Sequence, residues 1–243
     1  MIRFEHVTKT YAGGSVKAVD DLNLEVDGGK VFGFLGPNGA GKTTTIKMMT
    51  GILNPDEGNI LLEDVDLLKN PIEAKRKFGF VPDSFEMFER LTGMDYLNFL
   101  ADMYQVGNRE RKEHIEKYLA KYDLKDAIQQ PIRSFSHGMK QKLQIIGSLI
   151  HQPSIWVLDE PMVGLDPASM RELKNEMREY CDQGKTVFFS THVLDVAERL
   201  CDEVGIIRRG KLIAQGKPEE LMKQDQASTL EDLFLNLTEN EEA

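Results

Sequence analysis

The sequence is short of three things. Only two of its 243 residues are cysteine, Cys181 and Cys201, and no Cys-x-x-Cys pair is present. That favours buried thiols in a reducing compartment over a disulfide or a metal site. No apolar run approaches the roughly 18 residues needed to span a membrane, so any membrane role is expected to come through a partner. Positive charge is also in the minority: 30 Lys and Arg against 40 Asp and Glu give a formal net charge of -10. Such a balance argues against a broad nucleic-acid-binding face without excluding a local basic groove. The amino terminus runs directly into strand-like Ile2 to Val7 with no basic and apolar leader pattern, which leads us to expect a cytoplasmic chain.

What is present is an α/β alternation. Ile2 to Val7 and Leu22 to Val26 alternate with period two and read as half-buried strands, separated by Asp27-Gly28-Gly29 from Val31 to Leu35, which is apolar on both faces. Asn54 to Gly58 reads as loop before strand-like Ile60 to Leu62. After Phe78 to Val81 the texture becomes helical for about seventy residues. Thr92 and Asp95 form a capping box ahead of a stripe of Met94, Leu97, Leu100, Ala101 and Tyr104. A second stripe uses Ile115, Tyr118, Leu119 and Tyr122, and a third helix starts near His137. Strands then return at Ile155 to Leu158 and Thr186 to Phe189. Val204 to Ile207 and Lys211 to Ala214 read as a hairpin around Arg209-Gly210, and a last helix is expected over Leu230 to Leu237.

The fold class expected is α/β, with an N-terminal antiparallel β region and an inserted helical subdomain, and Gly36-Pro37-Asn38-Gly39-Ala40-Gly41-Lys42-Thr43 after the third strand marks the core as that of a P-loop NTPase. Residues 1–83 and 151–221 form the core, 84–150 the insertion, and 222–243 a helical extension with an acidic tail.

The strongest local signal is Gly36-Pro37-Asn38-Gly39-Ala40-Gly41-Lys42-Thr43-Thr44, lying between a buried strand and a helix. Glycines let the backbone curl so that its N–H groups face phosphate oxygens, and the helix start adds favourable polarity. Lys42 is expected on the terminal phosphates of ATP and the Thr43 hydroxyl on Mg2+. Asp159-Glu160 follows the apolar strand at Ile155. Asp159 is the expected metal-shell carboxylate, and Glu160 the group that orients or deprotonates the attacking water. The alternative is an ordinary solvent-facing acidic pair. His192, after Phe188-Phe189-Ser190-Thr191, either senses the γ-phosphate beside Glu160 or is structural.

With these residues in order, the chain resembles the nucleotide-binding domain of ATP-binding cassette transporters over nearly its whole length. The resemblance implies that Tyr11 stacks on adenine, though a surface strand-end tyrosine reads the same way. Phe135-Ser136-His137-Gly138-Met139 resembles the family's Leu-Ser-Gly-Gly-Gln signature, with histidine for the first glycine and methionine for glutamine. It implies that Ser136, His137 and Gly138 meet the nucleotide bound on a second copy. Ser-x-Gly is also a common helix cap. Gly164-Leu165-Asp166 resembles the D-loop, and Asp166 is equally an N-cap before Pro167. At Asp83 the family usually carries glutamine or often glutamate, so with the shorter side chain metal contact there is expected either to become water-mediated or to require more loop closure, with Asp83 still in the catalytic and metal set. Phe85, Met87, Phe88 and Leu91 read as either subdomain core or a docking groove.

The implied protein is an ATPase using ATP and Mg2+. It would pair with a second ATPase subunit and with separately encoded transmembrane permease subunits, most like bacterial ABC-2-type exporters, on the cytoplasmic face of the membrane and without nucleic acid. Alternatives are a soluble ATPase of the same superfamily working on nucleic acid or protein assemblies, and a regulatory ATP-binding module.

Overall fold

A computed structural model describes residues 1–11, 16–84 and 88–239. Phe85 and Met87 of the apolar cluster, and residues 240–243 of the acidic end, lie outside the described residues.

Two sheets carry the fold. The antiparallel one has the order β2-β1-β4-β5, from β1 (Ile2–Thr10), β2 (Lys17–Val26), β4 (Glu57–Leu62) and β5 (Val65–Asp66). The other has the order β10-β9-β3-β8-β7-β6, from β3 (Val31–Leu35), β6 (Phe78–Val81), β7 (Ile155–Asp159), β8 (Thr186–Thr191), β9 (Glu203–Arg208) and β10 (Lys211–Gly216). Strands β9, β3, β8, β7 and β6 are mutually parallel, and β10 returns antiparallel. The β9–β10 turn has Arg209 at φ 47° and Gly210 at φ 81°. Two positive φ values in a row are what a tight hairpin matched to strand twist requires.

Residues of the parallel strands alternate between two cores. Trp156, Leu158, Val187 and Phe189 face a helical layer together with Leu97, Tyr118, Leu143 and Met177. Ile155, Val157, Phe188, Phe32 and Phe34 face the opposite way, toward Phe4, Leu24, Ile46 and Ile60 of the antiparallel sheet and the helix after β3. A sheet covered on both faces must be apolar at successive positions, which is why β3 and β7 read as continuous apolar runs. Burying this much apolar surface, at about 25 cal/mol per Å², makes the sheet the rigid frame on which its strand ends are held.

The helices between β6 and β7 are α3 (Gly93–Met103), α4 (Asn108–Lys121) and α5 (His137–Leu149), with a short 3-10 turn at Ile132–Ser134. Thr92 caps α3 with a reciprocal capping box through Asp95. Since Leu143, Ile146 and Leu149 of α5 share one core with Trp156 and Leu158, the insertion packs directly on the sheet. The remaining helices are α1 (Lys42–Met49), α2 (Pro71–Lys77), α6 (Pro167–Asp182), α7 (Leu194–Leu200), α8 (Pro218–Gln224) and α9 (Leu230–Glu239). Leu230 and Leu233 of α9 fill a third, smaller cluster against Leu35, Ala197 and Ile206.

Several sequence expectations shift. Glu57 and Gly58, expected in a loop, begin β4, because their backbone pairs with β1. Helices α2 and α8 were not anticipated, although each begins with Pro71 or Pro218 in the first helical turn, where proline loses no hydrogen bond. Cys181 lies buried in α6, and Cys201 follows α7. Burial pushes the Cys181 thiol up to about 11 and Cys201 further still, so both are unreactive thiols. Among the described residues no helix is long and apolar enough to cross a membrane.

Candidate functional site

Because β3, β8, β7 and β6 run parallel, their carboxyl ends align at one edge of the sheet. Asp159 pairs with Ser190, Leu35 with Thr191, and Val81 with Leu158. The Gly36 loop, Glu160, His192 and Asp83 each follow one of these strand ends. Ligands of open parallel sheets bind at such carboxyl edges.

The loop itself is shaped by Gly41, whose φ of 113° is closed to ordinary side chains and whose missing Cβ would lie 2.4 Å from the Ala18 carbonyl oxygen. Helix α1 starts immediately afterwards without a side-chain cap. Its first N–H groups are therefore left for a ligand, and the helix dipole favours an anion. Lys42 is buried beside them and donates to the Gly36 carbonyl at 2.7 Å, with the Pro37 carbonyl at 3.4 Å.

From Lys42 a chain of polar contacts crosses the sheet edge. Its Nζ lies 3.6 Å from Glu160 Oε1, and Glu160 Oε2 lies 2.9 Å from His192 Nδ1. Glu160 holds φ at 49°, a left-handed conformation that turns the chain sharply at the strand end. Its N–H donates to Ser190 Oγ at 3.0 Å, while the Ser190 hydroxyl donates to Asp159 Oδ1 at 2.5 Å. Ser190 fixes both acidic residues of the pair, so their alternative reading as solvent-facing charges fails for Asp159, which is 2% exposed. Sequence reasoning missed Ser190. Its signal was a hydroxyl directly after the apolar Val187-Phe188-Phe189 run, in a strand that also carries Thr186 and Thr191.

Burial raises the Asp159 carboxyl above the ordinary carboxylate range, against hydrogen bonds from Ser190 and Thr43 that lower it, and the nearby charges of Asp83 and Glu160 add to the rise. A buried carboxylate beside the Thr43 hydroxyl, with Asp83 and Glu160 near it, is a hard-oxygen environment. This donor set fits Mg2+. Among the described residues no cluster of three or more His, Cys, Asp or Glu is placed to hold a metal ion by itself.

Tyr11, Ala18, Asn38, Gly39, Gly41, Lys42, Thr43, Thr44, Asp83 and Glu160 line one cleft of about 390 Å³. Tyr11 is half exposed at its mouth, its hydroxyl 3.1 Å from Thr44 Oγ1. The structure thus brings together the phosphate loop, the acidic pair, His192, Asp83 and Tyr11.

Ser136, His137 and Gly138 do not line this cleft, although His137 lines a neighbouring cavity with Asp83 and Glu160. The exposed Ser136 opens α5 and accepts from Met139 N–H at 3.3 Å as an ordinary N-cap. Asp166 likewise caps α6, accepting from Ala168 and Ser169 N–H at 3.0 Å. The Ser169 hydroxyl and these N–H groups pull its carboxyl down to about 2. Gln144, also missed, donates to the Ser84 carbonyl at 3.3 Å and so ties α5 to the Asp83 loop.

This geometry agrees with the sequence profile of the family described as "ABC transporter", which matches residues 19–163. The chain belongs to the ABC transporter family. The "Probable multidrug ABC transporter ATP-binding protein YbhF" of Escherichia coli (strain K12) is 36% identical over 242 residues, 98% of this chain. This chain spans only 41% of that relative's length. A solved "ATP binding subunit of ABC transporter" superposes with a TM-score of 0.93 at 29% identity, covering 98% of this chain and 99% of that one. The dimeric bacterial ABC transporter cassette MJ0796 superposes with a TM-score of 0.81 at 25% identity, covering 89% and 98%. As an ABC cassette, the chain is an ATP-binding and ATP-hydrolysing unit, and the family implies Mg2+ with the nucleotide.

Proposed function

We propose that this cassette hydrolyses ATP as one half of a symmetric pair and that the pair drives a separate membrane permease, in the direction of export. The Lys42–Glu160–His192 contact chain, laid along the sheet edge beside Asp159 and Thr43, is the observation that carries the catalytic part.

In this reading Tyr11 stacks on adenine. The N–H groups of residues 36–44 and the Lys42 ammonium hold the β- and γ-phosphates, where preorganised donors supply most of the stabilisation of a loose phosphoryl transition state. Glu160 orients water opposite the ADP leaving group and takes its proton. His192 keeps the Glu160 carboxylate turned toward that water through Nδ1 and contacts the γ-phosphate. Thr43 and Asp159 would hold Mg2+, with Asp83 reaching it through water, and the ion neutralises phosphate charge when bound.

The exposed N-terminus of α5 is the part each copy lends to the other: Ser136, His137 and Gly138 approach the γ-phosphate held by the second copy. A relative that is itself dimeric supports this arrangement. Phe88, exposed and packed edge-on to Phe99 with ring centroids 5.7 Å apart, and the exposed Met103 form an apolar face on the helical insertion. That face suits docking of a permease segment at the cytoplasmic side of the membrane. The similar YbhF protein is described as a probable multidrug ABC transporter ATP-binding protein, and export is the direction we infer for such a cargo.

A mixing experiment tests the shared site. Lys42→Ala and Ser136→Arg are each expected to abolish turnover as pure dimers. A mixture forms heterodimers with one intact site, restoring about a quarter of wild-type activity if pairing is random. No restoration on mixing would contradict a site shared between copies.

A further inference from the structure

The first turn of α5 also contacts its own chain beside the catalytic carboxylate. His137 and Gln141 are one helical turn apart and share a face. Gln141, 4% exposed, donates to the Pro161 carbonyl at 2.5 Å. Gly164 has φ of 82°, and a Cβ there would lie 2.3 Å from both Cδ2 and Nε2 of His137. The imidazole edge therefore rests on the Gly164 backbone. Residues 161–164, which lead directly out of Glu160, are held at both ends by α5.

Between that segment and the strand ends lies a second cavity of about 240 Å³, lined by Pro82, Asp83, His137, Gln141, Glu160 and Val163. Gln141 Oε1 is buried without a hydrogen-bond partner among the described residues. It supplies one of the polar contacts a water in this cavity would need. Glu160 lines both this cavity and the nucleotide cleft. At position 137 the resembling signature has glycine, which can make no such contact.

We propose that His137 is a positioning residue for the Glu160 carboxylate of its own chain. Its ring sets the height of Gly164, the Gln141 amide pins Pro161, and together they fix the turn from which Glu160 projects toward Lys42 and His192. Engagement of the α5 N-terminus by the other copy's nucleotide is thereby transmitted to hydrolysis in cis. The inference rests on the water-positioning role of Glu160, which Glu160→Gln tests separately.

The test is a double-mutant cycle of His137→Gly and Gly164→Ala in the full chain, with kcat, KM for ATP and thermal midpoint measured for each protein. His137→Gly is expected to lower kcat about 10- to 100-fold, the scale of an approximately 1 Å misplacement, with KM within about two-fold. Gly164→Ala should lower kcat similarly in the wild-type background, because its Cβ displaces the ring. In the His137→Gly background the same substitution should cost clearly less, because the ring is gone and only the strain of an alanine at φ 82° remains. Equal cost in both backgrounds would overturn the proposal. So would wild-type kcat in His137→Gly, or a rise in KM with kcat unchanged, which would leave His137 with a role toward the partner's nucleotide alone.

Discussion

Replacing Asp159 with asparagine should stabilise the protein while disabling it. The carboxylate is 2% exposed, and its hydrogen bonds from Ser190 and Thr43 do not offset burial, so its pKa lies above the usual value of 3.8. At neutral pH the fold therefore carries a charge it would be more stable without. Asparagine keeps the shape and the acceptor for Ser190 and removes the charge. Relief of a partly compensated buried charge is on the order of 1 kcal/mol, or roughly 2–4 °C in thermal midpoint for a chain of this size. The sign follows from linkage: a folded pKa above the unfolded value means stability is full below the unfolded pKa and falls as pH rises through the folded one. The advantage of Asp159→Asn should accordingly be present at pH 7 and vanish below about pH 3.8, where both states bind the proton. Thermal melts without nucleotide or magnesium, across pH, read this directly. With Mg2+ and ATP the order should reverse, because ligand binding stabilises only the protein that retains the cation site. A variant melting below wild type at pH 7 without ligand would refute the claim that Asp159 is a charge held ready for a cation.

Two further outcomes follow from single contacts. Gly79→Ala places a Cβ 1.9 Å from the Ser148 carbonyl oxygen on α5, so β6 and α5 must separate; a loss of about 1–3 kcal/mol should appear in urea denaturation. Tyr11→Ala should raise KM for ATP about 10-fold at nearly constant kcat, since base stacking is worth roughly 1–3 kcal/mol, whereas Tyr11→Phe, which loses only the Thr44 contact, should change it far less in steady-state assays.

Much of the site was legible in the sequence because its residues sit where strands end. A buried strand followed by Gly36 to Thr44 announces both the loop and its place, and Asp159-Glu160 and His192 follow apolar runs that could only be central strands. What was not legible depends on the order of strands in space. Sequence cannot say that β8 lies between β3 and β7, and that placement is what lets Ser190 bond both Asp159 and the Glu160 backbone. The contact of His137 with Gly164 is hidden for the same reason, since it joins positions 27 residues apart through a helix–loop packing that no periodicity encodes. Helices α2 and α8 are short and exposed, and their weak apolar stripes gave no helical period. Their first-turn prolines were the readable signal.

The central claim is that Glu160 positions the attacking water in a site closed by a second copy, and Glu160→Gln tests it most directly. The amide preserves volume but cannot accept the proton. Turnover should fall about 100- to 10,000-fold, the usual contribution of a positioned general base, and ATP should now hold a stable dimer visible by size-exclusion chromatography. Turnover within a few-fold of wild type, with no ATP-dependent dimer, would contradict the account.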